Sequence, residues 1–258
     1  MSNLTEIEFY DRLAEFFDVM TDWRSRLAFE MPFLLQILAQ HQVRSVLDCA
    51  SGTGWHAIAL AQRGYRVAGS DASAEMIARA RQNAQRESVA IPFHVATFQN
   101  LRATFAERFD SVLCLGNSFP HVLTDDAARA SLANVRDVLR AGGVLVLHNL
   151  NYDKRWRDKP RWFAVNSGTL DGRETLVWRF ADYGESLITF NVALFAKSDK
   201  GAWSVQVQST PQRPYQHQEL ENLLRAAGFR KLEFYGSLQG EAFDPAQSGD
   251  LVIVAVSI

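Results

Sequence analysis

The spacing of hydrophobic residues changes along the chain, and its first part has a helical period. From Ile7 to Met20, and again from Leu27 to Leu38, hydrophobic residues recur every three or four positions. A capping box, Thr5-Glu6-Ile7-Glu8, precedes the first stretch, and we expect Pro32 to begin or kink the second. The pattern therefore predicts two helical segments within residues 1–42.

Beyond this region, short hydrophobic runs alternate with amphipathic stretches. The predicted strands are Ser45–Cys49, Tyr65–Ser70, Ile91–Ala96, Phe109–Leu115 and Val144–Leu147. The predicted helices are Trp55–Arg63, Ser73–Arg86, and one that begins at Asp125 or Asp126, runs through Leu139 and is stopped by Gly142-Gly143. Strands and helices that alternate with short connections form a parallel sheet covered on both faces. Because crossovers are right-handed, we predict an α/β fold with a doubly wound, mostly parallel, Rossmann-like sheet.

The pattern changes again after the fifth strand. Three β-branched and aromatic segments alternate with Asp- and Gly-containing turns, which predicts an antiparallel sheet inserted into the α/β fold. Its predicted strands are Thr175–Phe180, Leu187–Phe195 and Trp203–Gln208. A helix over Gln218–Ala227 and an edge hairpin of Lys231–Tyr235 and Leu251–Val256 complete the prediction. No linker is evident, so we expect one domain over 1–258, with 43–153 and 214–258 as its core and 154–213 as the insertion.

Composition and charge narrow the class of protein. The chain has 258 residues, 47% hydrophobic, with Lys+Arg 27 against Asp+Glu 29, which leaves no basic footprint for nucleic acid or an anionic membrane. The polar N-terminus, Met1 to Glu6, does not resemble a signal peptide, and no hydrophobic run approaches the roughly 20 residues of a membrane span. Cys49 and Cys114 each lie in a hydrophobic run, where small core residues are expected. We therefore expect a cytoplasmic protein without a membrane partner.

The turn after the first strand is the strongest local signal for a ligand site. Gly52 and Gly54 permit a sharp turn and close approach of a ligand, and the next helix directs free N–H groups at it. Asp71 ends the second strand, where a carboxylate can accept hydrogen bonds from ribose hydroxyls. The glycines also fit a dinucleotide fingerprint completed by Ala57, so an NAD-dependent oxidoreductase remains an alternative.

Several segments together resemble one family of enzymes. Val46–Gly54, Gly69–Ser73 and Leu139–Gly143 resemble the class I S-adenosylmethionine (SAM)-dependent methyltransferases. Over about residues 10–153 the chain is similar to glycine N-methyltransferases in particular. The segments that carry this narrower similarity are Arg24–Arg26, Val46–Gly54, Ser70–Ser73, Cys114–His121 and Asn151–Asp153.

The resemblance implies SAM as the cofactor and assigns its binding residues. Backbone contacts to the methionine part are implied for Ala50 and Gly52, the ribose for Asp71, and the methionyl carboxylate for Arg26. The adenine contacts are implied for Ala72, Met76, Thr97 and Phe98, and further cofactor contacts for Leu115 and His121. We expect Tyr10 to close the site over the cofactor. Packing in the core, or an exposed helix face for Arg26, remains the alternative for these side chains.

The residues that bind the methyl acceptor are predicted from the position of the strand ends. Ligands of open α/β sheets bind beyond the carboxyl ends of the strands, which places Asn117, His148 and Tyr152 at the acceptor. His121 and His148 are the candidate bases, so the predicted catalytic residues are His121, Asn117, His148 and Tyr152. Further lining residues are expected among Asn149, Asn151 and Tyr215.

One position departs from the resembling family. Leu150 stands where glycine N-methyltransferases have an arginine that binds the acceptor carboxylate, which puts glycine in doubt as the acceptor and favours a neutral or less polar one. The substrate lid is expected in the insertion. Its arginines are candidate replacements for that cation, and its tryptophans are candidate pocket walls or packing residues; these are Arg155, Arg161, Arg173, Arg179, Trp156, Trp162, Trp178 and Trp203.

The sequence thus predicts methyl transfer from SAM to a nitrogen or oxygen of a small-molecule acceptor. A non-catalytic SAM-binding module is the second alternative. No Cys-x-x-Cys or His-Glu-x-x-His motif occurs, so no metal is predicted. The identity of the acceptor and the choice between a monomer and a homo-oligomer stay open.

Overall fold

The fold is known from a computed structural model, which describes residues 5–258. The first four residues of the predicted helical region 1–42 lie outside the described part. The helices are α1 (Glu6–Leu13), α2 (Phe17–Met20), α3 (Trp23–Gln40), α4 (Trp55–Ala61), α5 (Ala74–Arg86), α6 (Leu101–Thr104), α7 (Asp125–Val138), α8 (Tyr152–Asp158) and α9 (His217–Ala226). The strands are β1 (Ser45–Asp48), β2 (Arg66–Asp71), β3 (Phe93–Val95), β4 (Phe109–Cys114), β5 (Leu139–Leu150), β6 (Asn166–Leu170), β7 (Arg173–Tyr183), β8 (Ile188–Lys197), β9 (Trp203–Gln212), β10 (Phe229–Tyr235) and β11 (Asp250–Ser257).

The main sheet has seven strands in the order β10-β11-β5-β4-β1-β2-β3. Strands β1 to β5 run parallel, and β11 pairs antiparallel with both β5 and β10. The predicted doubly wound, mostly parallel fold and its edge hairpin are confirmed. The central strands are buried on both faces, as for Val46 and Leu47 in β1, because helices cover each side.

The helices before β1 number three in the described residues, whereas the sequence predicted two. The capping box at Thr5 is present, with its side chain accepting from the backbone N–H of Glu8. The prediction that Pro32 begins the second helix was wrong, since Asp22 caps α3 and Pro32 lies inside it. The turn between α1 and α2 divides the first predicted helix.

The glycines before the fifth strand do not terminate a helix. Helix α7 ends at Val138, and Leu139 already has extended backbone angles as the first residue of β5. Gly142 and Gly143 lie within this strand, opposite a register shift in β4. Gly142 has a φ of +74°, and a Cβ on Gly143 would approach Arg140 O at 2.9 Å. The prediction that they stop α7 was wrong because they accommodate an irregular strand start.

The predicted antiparallel insertion is confirmed as a separate four-stranded sheet in the order β6-β7-β8-β9. Helix α8 precedes it and was not predicted. Strand β6 was also missed, because its sequence, Asn166 to Leu170, is short and polar and lacks an alternating pattern. Helix α2 packs against it so closely that a Cβ on Gly168 would lie 3.0 Å from Val19.

Candidate functional site

A cavity of about 530 Å³ lies at the carboxyl ends of β1, β2, β4 and β5. Helices α1 and α3 and the inserted sheet form its other walls, with lining residues such as Tyr10, Arg26 and Phe190. The residues predicted to bind the cofactor or to act in catalysis all line this one cavity: Tyr10, Arg26, Ala50, Gly52, Asp71, Ala72, Met76, Thr97, Phe98, Leu115, Asn117, His121, His148 and Tyr152. Residues from distant parts of the chain are therefore brought together as predicted, while the role of each stays a prediction.

The loop between β1 and α4 forms one side of the cavity. Gly52 and Gly54 have φ values of +51° and +88°, in the left-handed region that glycine adopts without strain. The backbone N–H of Gly52 donates to Asp71 Oδ2 at 2.9 Å. Ser51 lines the cavity, but its side-chain oxygen is buried and has no hydrogen-bond partner among residues 5–258. This loop can present polar backbone groups to a ligand.

Asp71 ends β2 and lies directly across from the loop. Its Oδ1 accepts from the backbone N–H of Ser73 at 3.0 Å, so each carboxylate oxygen holds one backbone donor. Burial raises the pKa of Asp71, against the lowering effect of these hydrogen bonds. Each oxygen retains a second lone pair, and together they can accept two neighbouring hydroxyl groups.

An apolar slot lies beside Asp71. Met76 is buried in the first turn of α5, which Ser73 caps through a hydrogen bond to the Met76 backbone N–H. Phe98 follows β3 and packs against Phe119, with ring centroids 6.1 Å apart. Ala72 and Thr97 complete the lining here. A flat aromatic ring such as a purine base fits between side chains of this kind.

Arg26, on α3, is held in place by a chain of interactions. Its Nε donates to Glu30 Oε1 at 2.9 Å, and its guanidinium carbon lies 5.0 Å from the centre of the Trp23 ring. The other carboxylate oxygen of Glu30 is 2.5 Å from His56 Nε2. Burial raises the pKa of Glu30, but the His56 hydrogen bond and the Arg26 charge outweigh it and lower the pKa to about 2. The ionised Glu30 fixes the guanidinium, whose terminal nitrogens remain for a ligand carboxylate.

A chain of side-chain hydrogen bonds crosses the cavity between the core and the inserted sheet. Tyr10 Oη lies 3.0 Å from His121 Nε2, which is also 3.3 Å from Gln212 Nε2. Tyr152 Oη donates to Gln212 Oε1 at 3.2 Å and accepts from Asn117 Nδ2 at 2.9 Å. These groups thereby join α1, the turn after β4, β9 and α8. They give this wall of the cavity a fixed arrangement.

The pKa values of the groups in this series of hydrogen bonds indicate that His121 is uncharged. Burial lowers the pKa of His121 to about 4, so its imidazole is neutral at pH 7. Burial raises the pKa of both Tyr10 and Tyr152 far above the usual range, so both keep their hydroxyl protons. In the tautomer with an unprotonated Nε2, neutral His121 can then accept a hydrogen bond from the Tyr10 hydroxyl.

Asn117 lies in the turn after β4, lines the cavity and has a strained backbone conformation. Its φ is +65°, which is uncommon for a residue other than glycine. Its side-chain oxygen accepts from the backbone N–H of Leu150 at 2.9 Å. His148, on β5, lies with its Nε2 3.6 Å from Asp250 Oδ2. Both predicted residues are thus anchored at the ends of β4 and β5.

Other predicted residues lie elsewhere. Asn149 and Asn151 are buried away from the cavity, and Asn151 caps α8. Tyr215 is fully buried and does not line the cavity, because its ring packs on Phe119. The four tryptophans of the insertion, Trp156, Trp162, Trp178 and Trp203, also lie outside the lining, which favours their packing interpretation; Trp162 and Trp178 stack at 5.1 Å.

Sequence reasoning missed many residues of the cavity wall, and Gln212 and Glu6 are two polar examples. Gln212 is a β9 residue whose partners are far away in the chain, so no local signal identifies it. Glu6 was interpreted only as part of a capping box, yet it lines the cavity. Burial, and then the charge of Asp71, raise the pKa of Glu6 to about 7. A raised pKa of a cavity carboxyl marks a group that can exchange a proton near neutral pH.

Two further classes of site find no support. Among residues 5–258, no group of three or more His, Cys, Asp or Glu side chains is arranged to hold a metal ion. In the same part of the chain, no helix has the length and apolar character to cross a membrane.

The chain has recognisable relatives. Residues 46–143 match a family described as "Methyltransferase domain". A glycine/sarcosine N-methyltransferase of Parasynechococcus marenigrum (strain WH8102) is 29% identical over 92% of this chain and 81% of its own length. One of Aphanothece halophytica is 36% identical over 57% of this chain, and the match spans 55% of that relative. A SAM-dependent methyltransferase of Clostridium acetobutylicum ATCC 824 superposes with a TM-score of 0.78 at 15% identity, covering 97% of this chain and 98% of its own.

Proposed function

The chain is a class I SAM-dependent methyltransferase that resembles the glycine N-methyltransferases, and we propose that it methylates an amine nitrogen of a small-molecule acceptor. The observation that carries the proposal is the single cavity in which the glycine loop, Asp71, Arg26 and the Asn117–Tyr152 pair meet. The named relatives are N-methyltransferases, which favours nitrogen over oxygen as the acceptor atom.

The residues of the donor half fit SAM. The free lone pairs of Asp71 suit the two ribose hydroxyls, and the slot beside Met76 and Phe98 suits adenine. Arg26 can pair with the methionyl carboxylate through its planar fork while Glu30 holds its Nε.

The acceptor half favours catalysis by positioning. When bound, SAM would supply an electrophilic methyl group to an amine that has already released its ammonium proton to solvent, and the C–S bond that breaks would leave SAH. Asn117 and Tyr152 hold one another by a 2.9 Å hydrogen bond and can orient the acceptor. Because its pKa of about 4 makes His121 a weak base and its Nε2 is already engaged, its role in this proposal is to hold Tyr10 and Gln212 rather than to take a proton from the amine.

The inserted sheet has a role in the same proposal. We assign residues 154–213 to a substrate wall built on the SAM-binding core of residues 43–153 and 214–258, with 1–42 as a helical cover. Lining residues from β7 and β8, such as Ala181 and Ile188, face the cavity and support this assignment. Enclosure by this wall would exclude water from the reacting atoms.

The test is transfer of a trideuterated methyl group from labelled SAM to a pool of small amines, carboxylic acids and phenols, followed by mass spectrometry. We expect labelled product from one or more amines, reduced in the Asp71→Ala variant at limiting SAM and retained in Asp126→Ala, whose carboxylate is fully exposed. A SAM-binding protein that labels no acceptor would contradict the proposal and favour a non-catalytic module. Stabilisation by NAD but not by S-adenosylhomocysteine (SAH) would favour an oxidoreductase.

A further inference from the structure

Two arginines of the insertion and its leading helix line the cavity without a counter-charge. Arg155 lies on α8 and Arg179 on β7, and both contribute to the cavity wall. Among residues 5–258, neither has a carboxylate within ion-pair distance, whereas Arg26 pairs with Glu30. By contrast, Arg161 pairs with Asp182 at 2.7 Å on the protein surface. The cavity therefore holds two positive charges that the protein itself does not neutralise.

The environment of Arg179 makes this arrangement costly without a ligand. Its Nη2 donates to Asn166 Oδ1 at 2.9 Å, but its Nε is buried with no hydrogen-bond partner in the described chain. Burial, and then the charges of Arg26 and Arg155, lower its pKa. An unpaired cation that faces other cations in a partly buried site is stabilised by an anion that reaches it.

Arg155 is oriented toward the same region by aromatic contacts. Its guanidinium carbon lies 5.0 Å from the centre of the Phe163 ring, a cation–π distance. Phe163 in turn donates its backbone N–H to the carbonyl of Arg179 at 3.2 Å, which ties the two arginine segments together. Neither contact occupies the guanidinium with an anion.

The remaining wall of this half of the cavity is largely apolar. Leu150, Ala181, Ile188, Phe163 and Phe190 line it. A wall of this composition favours a ligand with hydrocarbon surface, since each Å² of apolar area removed from water contributes roughly 25 cal/mol. Glycine has no side chain to occupy such a wall.

We propose that the acceptor carries a carboxylate bound by Arg155 and Arg179, and an apolar body, larger than that of glycine, that packs against Leu150 and Phe190. This inference rests on the proposed methyl transfer and specifies its acceptor. The donor carboxylate is left to Arg26, which lies beside Gly116; a Cβ added at Gly116 would be 3.4 Å from Arg26 Nη2. The positive charges that bind the acceptor carboxylate thus come from the insertion and its leading helix instead of from position 150.

The test uses an acid that cannot be methylated on nitrogen, so that binding is measured apart from activity. Melting temperatures of the SAH complex are compared with phenylacetate and with its neutral isostere, phenylacetamide. We expect phenylacetate to bind the wild type at least 10-fold more tightly than the amide. The preference should disappear in Arg179→Gln and Arg155→Gln, and remain in the surface control Arg161→Gln. Arg179→Lys, which keeps the charge, should retain part of it.

Kinetics with a methylated acceptor provides the second readout. With an apolar amino acid such as phenylalanine, Arg179→Gln should raise KM by about 10- to 100-fold, the effect of losing one charge-assisted hydrogen bond, with SAH affinity unchanged. Phenylalaninamide should show no such dependence on Arg179.

The outcomes separate this inference from the proposed function. Equal binding of acid and amide by the wild type, or turnover of glycine ahead of every larger amino acid, would overturn the acceptor assignment while methyl transfer stands. A parallel loss of SAH affinity in Arg179→Gln would assign the arginine to the donor and also overturn it. Failure of SAH itself to bind would instead contradict the proposed function, whatever phenylacetate does.

Discussion

Asp71 and Asp48 are two acidic residues at neighbouring strand ends whose environments give them different tasks. Asp71 lines the cavity and has a backbone donor on each oxygen, at 2.9 Å and 3.0 Å. Asp48 is buried behind the loop, is 1% exposed, and its Oδ1 has no partner in the described residues. The proposed binding of ribose hydroxyls therefore falls to Asp71, whereas for Asp48 we expect an effect on stability.

Replacing Asp71 by alanine tests its ribose role. We expect affinity for SAH, measured by calorimetry, to fall by about 1–3 kcal/mol, since hydrogen bonds to a charged acceptor are lost. The exposed Asp126→Ala variant should bind as the wild type does. Unchanged affinity in Asp71→Ala would contradict the assignment.

Asp48 should make the stability of the ligand-free protein depend on pH. Burial raises its pKa from the usual 3.8 to about 7, so between these values the folded state keeps a proton that the unfolded state releases. The free energy of unfolding therefore falls as pH rises through this window. In urea unfolding, Asp48→Asn should match the wild type near pH 4 and exceed it by about 1–3 kcal/mol at pH 8. Parallel pH profiles for the two proteins would contradict this.

At the scale of elements, the loop before α4 depends on a close approach between α4, α5 and β3. Gly54 precedes α4 with a φ of +88°, and a Cβ there would lie 3.0 Å from Ala80 and from Phe93. Gly64, after the same helix, has the same φ, but its Cβ would meet nothing within 4 Å. The two glycines therefore share a backbone conformation and differ in packing.

The pair provides a matched test. Both Gly54→Ala and Gly64→Ala incur the strain of a positive φ, but only Gly54→Ala also overpacks the loop. We expect Gly54→Ala to lose about 1–3 kcal/mol more in the free energy of unfolding than Gly64→Ala, and to bind SAH more weakly. Equal losses in urea unfolding would show that the close approach does not matter.

The elements that the sequence predicts well are those in which hydrophobic residues recur with a clear period. The buried strand β1 and the amphipathic helix α5 appear close to their predicted bounds because burial on two faces or one leaves a clear pattern. Strand β6 was missed because an edge strand packed on α2 needs little hydrophobic sequence. The prediction at Gly142 and Gly143 was wrong because a positive φ, here that of Gly142, occurs at a strand bulge as well as at a helix end.

At the scale of the whole molecule, the cavity exists only where the core and the inserted sheet meet. Residues for the donor half follow strand ends of the core, so their place could be predicted from the motif order. The wall formed by the insertion could not be located in the same way: Gln212 reaches the cavity through the register of β8 and β9, and Arg179 was only one of four candidate arginines. That register depends on contacts between distant segments, which have no local signature.

A substitution of Gln212 tests the contact between the core and the inserted sheet. Gln212→Leu leaves the Tyr152 hydroxyl and His121 without their shared partner, at a cost of about 1–3 kcal/mol in the free energy of unfolding. We expect kcat to fall while SAH affinity is retained, because the change lies on the acceptor side. The exposed Gln218→Leu variant should alter neither quantity. Loss of SAH affinity with unchanged kcat would show that the chain of hydrogen bonds serves the donor instead.

The most direct test of the whole account is a crystal structure of the protein with SAH bound. We predict the two ribose hydroxyls on the carboxylate of Asp71, the homocysteine carboxylate on Arg26, and the sulfur directed toward Asn117 and Tyr152. Density for SAH at another surface, or a cavity without SAH at saturating concentration, would contradict the assignment of this cavity as the methyl-transfer site.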